Sequence, residues 1–335
     1  MCVRIRERGG RRMSAARTSA VAATLGALLL LAPTADASHP HRPHMRHPSH
    51  GVQFDVGPVL VPKGQEITQC TYFKMPGDHD LSVGRVQIKV SGGSHHVHLY
   101  RAQDPTMNVP DHSEACNFAL DFSVWQLVLA SQQLYLDWRL PPGVAFFFKA
   151  GEQLAAQTHF VDSGLLHTPS GKGWAVMNLH AMPRNHVTAY AGAFFGQDRD
   201  VVVPPHSTST ATTNCVFPKP VSLLAITGHY HYRGVHFTAG TWDGHTGTQI
   251  YAYDGYLDPA FVRFNDSPPI VPGLTWTCTY DNPTDDTFTF GPFTDKNEHC
   301  NLFAFYYPTS APEEDITCVQ KDSQVTVTVH DRTDQ

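Results

Sequence analysis

The stretch LLAITGHYHYRG, residues 223–234, carries a His-x-His motif in what reads as a β-strand. Side chains alternate between the two faces of a strand, so His229 and His231 are expected on one face and Tyr230 and Tyr232 on the other. Two imidazoles held side by side form a chelate suited to copper, zinc, iron or nickel. The pair needs a third ligand from elsewhere in the chain.

Two further histidine-bearing strands strengthen the metal hypothesis. The first is GGSHHVHLY, residues 92–100, and the second is QTHFVD, residues 157–162, which contains His159. In a regular strand His95 and His96 point to opposite faces, which favours His96 with His98 as a ligand pair. A twist or bulge after the two glycines would instead bring His95 and His96 to one ion.

Composition predicts an all-β protein. The chain has 335 residues, which is enough for two domains. It contains 25 Gly and 25 Pro, and only 16% of its residues are charged. This composition favours short strands joined by many turns. Net charge of −6 excludes the basic surface that nucleic-acid binding needs. Strands bounded by turn residues are predicted at 85–90, 144–149, 153–161, 174–180, 221–232, 235–242, 248–253 and 274–280. The strands at 144–149 and 153–161 are expected to lie in one hairpin-rich sheet. The segment 113–131 has no clear period and is predicted to be a loop.

Regular short strands favour a β-sandwich or jelly roll in each of two tandem domains. The polar, proline-containing segment 182–185 is the predicted boundary, which gives an N-terminal domain over 52–184 and a C-terminal domain over 185–335. Five histidines between residues 38 and 51 lie among Pro and Arg, and this segment is expected to be a disordered tail that binds metal loosely, or a tail that is simply soluble.

The N-terminus is typical of an export signal. A basic region, an apolar core at 20–32 and the small residues Ala35 and Ala37 predict a signal peptide over 1–37 and a secreted or periplasmic protein. Its removal leaves six cysteines, which in an oxidising compartment predict disulfides with 15 possible connectivities. No later apolar run is long enough for a membrane span.

In their order along the chain, these motifs resemble the copper type II, ascorbate-dependent monooxygenases, such as peptidylglycine α-hydroxylating monooxygenase and dopamine β-monooxygenase. The resemblance covers about residues 70–318 and includes the segments TWTCTY, residues 275–280, and EHCNLFAFYYP, residues 298–308. It implies two jelly-roll domains, each with one copper, facing each other across an open, wet cleft.

The resemblance also implies the ligands. The electron-delivering copper would take His95, His96 and His159, with His98 as the alternative in this set. The oxygen-binding copper would take His229 and His231, with His299 at the position where the family has Met. Gln157 matches a position that lines the cleft in the family, and the implied disulfides are Cys70–Cys116, Cys215–Cys318 and Cys278–Cys300, the last joining neighbouring strands.

The implied activity is hydroxylation of a C–H bond of a small substrate, with O2 as oxidant and ascorbate as reductant. Thr227 and Gly228 stand near the position where the amidating branch carries an arginine for a peptide carboxylate, so peptide amidation is disfavoured. Because imidazole favours Cu(II) more than a thioether does, His299 also supports a second hypothesis, a non-catalytic protein that binds or buffers copper. A third hypothesis is an interaction module with structural metals.

Overall fold

The computed structural model describes residues 42–116, 121–163 and 166–332. These residues form β-strands and one 3-10 turn, η1 (Arg184–His186), with no α-helix, so the predicted all-β class is confirmed. The predicted signal peptide and residues 38–41 of the predicted tail lie outside the described residues. Among the residues described, no helix has the length and apolar character that crossing a membrane would take.

The first half of the chain builds two facing sheets. Its strands are β1 (Gly51–Leu60), β2 (Glu66–Lys74), β3 (Leu81–Val90), β4 (Ser94–Ala102), β5 (His112–Ala115), β6 (Trp125–Ser131), β7 (Tyr135–Arg139), β8 (Val144–Phe148), β9 (Gln153–Val161), β10 (Lys172–Ala181) and β11 (Ala189–Tyr190). One sheet has the order β1-β10-β3-β8-β11, with β7 also on β3, and the other has the order β5-β2-β9-β4-β6.

The second half forms one large sheet and a two-stranded ribbon. Its strands are β12 (Gly192–Asp198), β13 (Val202–Val203), β14 (Ser207–His229), β15 (Gly234–Thr241), β16 (Gln249–Asp254), β17 (Val262–Arg263), β18 (Ile270–Asn282), β19 (Phe288–Thr289), β20 (Cys300–Tyr307), β21 (Asp315–Lys321) and β22 (Gln324–His330). The large sheet has the order β16-β15-β18-β14-β20-β12-β21-β22, with β17 on β14, while β13 pairs with β19.

The long strand β14 changes partner along its length. Residues 207–216 pair mainly with β18 and residues 222–229 with β20, with a register shift between Val216 and Val221. Pro218 and Pro220 lie at the shift, and neither has an N–H to donate to a neighbouring strand. The change of partner carries the end of β14, with its His-x-His motif, onto β20.

Two predictions about strands are wrong. Val144–Phe148 and Gln153–Val161 are strands but lie in different sheets, since β8 pairs with β3 and β11 whereas β9 pairs with β2 and β4. Alternation identifies a strand without naming its partner. The segment predicted as a loop over 113–131 contains the strand Trp125–Ser131, in which every residue is buried, so the sequence has no alternating pattern to detect.

The core of the first half extends into the second half, which also has a core of its own around Trp276, Leu302 and Tyr306. Leu224, Phe303 and Phe305 of the second half pack in the same cluster as the first-half strands. The chain passes from the first sheets to the second between Tyr190, which pairs with Ala145, and Gly192, a few residues beyond the predicted boundary. The division into domains stays a prediction.

Part of the predicted histidine-rich tail lies beside the first sheet. The Asn178 side chain donates a hydrogen bond to the Arg46 carbonyl at 3.0 Å, and Gln53 donates one to the Met45 carbonyl at 3.2 Å. These bonds fasten the backbone of residues 45 and 46 to β1 and β10.

The structure contains the disulfides Cys70–Cys116, Cys215–Cys318 and Cys278–Cys300. One detail of the expectation is wrong, because Cys278 and Cys300 do not lie on paired strands. They lie on β18 and β20, and β14 stands between these strands in the sheet order. The bridge therefore ties together the two strands that flank β14 and fixes the residue that follows His299.

Candidate metal centre

His229 and His231 stand at the end of β14. Their ring centroids are 5.4 Å apart, as expected for residues on one face of an extended chain. Gly228 between Thr227 and His229 has no room for a side chain, since a Cβ there would lie 2.6 Å from the Phe237 ring. This close approach packs the end of β14 against β15 and fixes the motif.

A β-bulge brings His95 and His96 to the same side of β4. The pairing of β4 with β9 shifts register between Ser94 and His96, which leaves His95 as the extra residue. The two ring centroids are consequently 5.3 Å apart. Gly93, with φ of +82°, makes the preceding turn, and a Cβ there would lie 2.3 Å from the Thr168 hydroxyl oxygen.

His159 and His98 complete the first-half group. His159 on β9 is the pairing partner of His96, and their ring centroids are 5.2 Å apart. His98, two residues beyond His96, lies on the same face and stacks on it at 4.1 Å with an interplanar angle of 5°. Its Nδ1 lies 3.1 Å from the Tyr100 hydroxyl.

The expectation of an open, wet cleft between the two histidine groups is wrong for this structure. The ring of His95 lies 4.8 Å from that of His229 and 5.4 Å from that of His231, and His96 lies 5.6 Å from His229. The shared core presses the ends of β4 and β9 directly against the ends of β14 and β20. The cavity between them has a volume of about 30 Å³.

Burial favours the neutral form of six histidines in this cluster. It is the largest cause of their lowered pKa values, and neighbouring imidazoles lower these values further. The pKa of His98 and that of His231 fall to about 3, and those of the others fall well below the ordinary value, namely His95, His96, His229 and His299. Neutral imidazole is the form that binds a metal.

Side-chain hydrogen bonds orient two of the rings, and one of these bonds crosses between the halves of the chain. His229 Nδ1 lies 2.6 Å from Gln132 Oε1, and Gln132 also donates to the Gly228 carbonyl at 2.7 Å. His159 Nε2 lies 2.8 Å from Glu66 Oε2, which also accepts the hydroxyl of Thr294 at 3.0 Å. Such contacts fix which ring nitrogen faces a metal.

A backbone carbonyl orients the ring of His231. Its Nδ1 lies 3.1 Å from the Asn297 carbonyl oxygen, which leaves Nε2 to face the cavity. The buried carboxylate of Glu298 accepts the backbone N–H groups of His231 and Arg233, and so holds the chain where it leaves β14.

Sequence reasoning missed Glu66 and Gln132. Each lies more than 90 residues from the histidine that it orients. Neither stands in a motif, so no local signal identifies them.

His299 and Gln157 both line the cavity between the histidine groups. His299 Nδ1 is 3.2 Å from His229 Nε2, and its ring stacks on Phe290 at 4.9 Å. Gln157 is buried beside the Cys70–Cys116 disulfide and hydrogen-bonds to His98.

The cluster fits a metal ion that takes imidazole ligands. Among the described residues, His95 Nε2, both ring nitrogens of His96 and His98 Nε2 are buried without a hydrogen-bond partner. Buried polar atoms are normally paired, so these nitrogens point to a missing ligand. Two groups of three have ligand atoms within 4.8 Å of one another: His95, His96 and His159, and His95, His229 and His231. Copper and zinc both suit such donors.

One family model matches most of the second half of the chain. Residues 193–329 match the model of the copper type II ascorbate-dependent monooxygenase, C-terminal domain. The matched segment contains His229, His231 and His299 together with all four cysteines of the two second-half disulfides.

Other comparisons are weak. No curated protein matches the chain significantly. The chain resembles the solved structure of the STIV MCP with a TM-score of 0.28 and 9% identity, over 76% of this chain and 94% of that one. It resembles PBCV-1 VP54 with a TM-score of 0.25 and 10% identity, over 86% and 98%.

Proposed function

We propose that this protein is a secreted dicopper monooxygenase that hydroxylates a C–H bond of a small substrate, with O2 as oxidant and ascorbate as reductant. The single observation that supports this most strongly is the family match over residues 193–329, which contains the His-x-His pair at the buried cluster. Three disulfides are typical of an exported protein. Two tandem jelly-roll domains, over 52–184 and 185–335, belong to the same proposal.

In this proposal the first half supplies His95, His96 and His159 for one copper, and the second half supplies His229 and His231, with His299 beside them, for the other. Bound copper would supply one-electron redox chemistry and O2 activation at these ligands. The chain's own residues fix the tautomers of three rings through Gln132, Glu66 and the Asn297 carbonyl, and exclude bulk water by burial.

Substrate access requires the two halves to separate at the cluster. A cavity of about 30 Å³ holds an ion or a water molecule but no organic substrate. The bonds beside the cluster that would break run from Gln132 to the second half and from Thr294 to Glu66. The absence of an open cleft among the described residues is also what favours the second candidate, a non-catalytic copper-binding protein.

Oxygen uptake separates the two candidates. Copper-loaded protein is given ascorbate and a panel of small aromatic and aliphatic substrates, while O2 consumption and hydroxylated product are measured together. A monooxygenase consumes O2 in proportion to product, and His229→Ala abolishes both. His245→Ala is the matched control, because that histidine is exposed on the loop between β15 and β16. Copper binding without substrate-dependent O2 uptake in any member of the panel would favour the buffering protein.

A further inference from the structure

The structure presents two candidates for the third ligand beside His229 and His231. One is His299 of the same half, which follows from the resemblance. The other is His95 of the opposite half, whose ring lies 4.8 Å from His229 and 5.4 Å from His231. The choice matters because His95 would bind the ion across the junction between the halves.

Ring spacing distinguishes the candidates. An ion about 2 Å from each ring nitrogen places the centroids of its imidazole ligands about 5 to 5.5 Å apart. The trio His95, His229 and His231 has centroid distances of 4.8, 5.4 and 5.4 Å. Its rings are inclined to one another by 42° to 84°. These spacings fit three rings around one ion, and their ligand atoms all lie within 4.8 Å of one another.

The trio with His299 is less regular. His299 lies 5.4 Å from His229 but only 4.1 Å from His231, with an interplanar angle of 32°. Its ring also stacks on Phe290 at 27°. Within the described residues, the three-histidine groups whose ligand atoms all lie within 4.8 Å of one another do not include His299. Its Nδ1 lies 3.2 Å from His229 Nε2 and accepts a hydrogen bond from the Asn301 side-chain nitrogen at 3.3 Å.

The geometry points to His95, and not His299, as the third ligand of the ion held by His229 and His231. His95 Nε2 is buried without a hydrogen-bond partner, so a nitrogen is available for the ion. The bulge that makes His95 the extra residue of β4 aims its ring at the second half. His95 also lies with His96 and His159, so the two proposed copper positions compete for it, because a neutral imidazole offers one lone pair to a metal. This assignment rests on the copper binding of the proposed function, and not on its catalysis.

The test uses a double variant, called the background, that keeps only the copper site at His229 and His231. His96→Ala with His159→Gln removes two ligands of the first-half site, and the glutamine keeps a donor for Glu66. Into this background either His95→Ala or His299→Ala is introduced. Affinity for Cu(I) alone is measured without oxygen, by competition with a chromogenic chelator, and X-ray absorption gives the number of bound imidazoles. Circular dichroism and thermal melting verify that each variant folds.

The background is expected to bind one Cu(I) with three imidazoles. His299→Ala should leave the affinity within about fivefold and keep three imidazoles. His95→Ala should weaken binding by more than about 100-fold, since loss of even an outer-shell partner costs 10- to 100-fold. The assignment is overturned if His299→Ala weakens binding as much as His95→Ala does, or if the background binds no copper. A chain that binds copper as expected but takes up no O2 would refute only the proposed function.

Discussion

Replacing Glu66 with glutamine tests whether a bond between the two halves controls copper affinity. Glu66 Oε2 lies 2.8 Å from His159 Nε2 and 3.0 Å from the Thr294 hydroxyl, and the Thr294 backbone N–H donates to the same carboxylate. Burial raises the pKa of Glu66, but the bonds from His159 and Thr294 outweigh this and hold the pKa below its ordinary value. The group is therefore a buried anion that fixes the imidazole.

The size of the effect follows from these contacts. Glutamine keeps one acceptor oxygen but loses the charge, and a hydrogen bond to a charged group contributes about 1.5 to 3 kcal/mol. That range corresponds to a roughly 10- to 100-fold weaker affinity for the copper at His159. Thr294→Val removes only the hydroxyl bond to Glu66. We expect it to change copper affinity less than about threefold and to lower the free energy of unfolding by about 1 kcal/mol.

Anaerobic Cu(I) competition measures the affinities, and urea denaturation of the copper-free protein measures stability. Asp78→Asn is the matched control, because its side chain is 90% exposed and its ion pair with His79 lies at the surface. Equal copper affinity in Glu66→Gln and in the wild-type protein would refute the idea that this carboxylate orients His159. Equal loss in Glu66→Gln and Thr294→Val would instead assign the effect to closure of the halves.

Three further changes have defined outcomes. Gln132→Leu removes the acceptor from His229 Nδ1 and should weaken Cu(I) binding at the His-x-His pair by roughly 10- to 100-fold in the same competition assay. Gly93→Ala forces a side chain onto the Thr168 hydroxyl at positive φ, and should lower the free energy of unfolding by more than about 1 kcal/mol in urea while weakening copper binding at the bulge. Arg332→Leu removes a buried cation from the buried carboxylates of Glu152 and Glu313. It should lower the free energy of unfolding by about 3 to 5 kcal/mol in the same urea denaturation.

The face of the His-x-His pair and the all-β class could be predicted from local sequence patterns. Alternation along the extended chain at the end of β14 places His229 and His231 on one face, and strand-rich composition gives the all-β class. At the His95–His96 doublet the sequence offered two geometries, and only the register of β4 against β9 decides between them. A bulge depends on the partner strand, which the doublet itself does not specify.

Long-range contacts account for what the sequence left out. Glu66 and Gln132 orient histidines far away in the chain, and no spacing rule connects a polar side chain with a partner on another strand. The direct meeting of the histidine groups depends on how Phe303 and Phe305 pack into the core of the first half. Periodicity gives the buried face of a strand but not the neighbour that covers it.

The hydrogen bonds at the cluster couple the equilibrium of copper binding to the equilibrium of closure between the halves. Gln132 of the first half orients His229 of the second, and Thr294 of the second half holds the Glu66 that orients His159 of the first. An ion that binds only this closed arrangement stabilises it by about 2.7 kcal/mol at a concentration 100 times its dissociation constant. Linkage is reciprocal. A substrate that must separate the halves in order to enter therefore lowers the affinity for the ion by the same factor by which the ion lowers the affinity for the substrate. A monooxygenase built this way would hold copper most firmly between turnovers and least firmly when substrate enters.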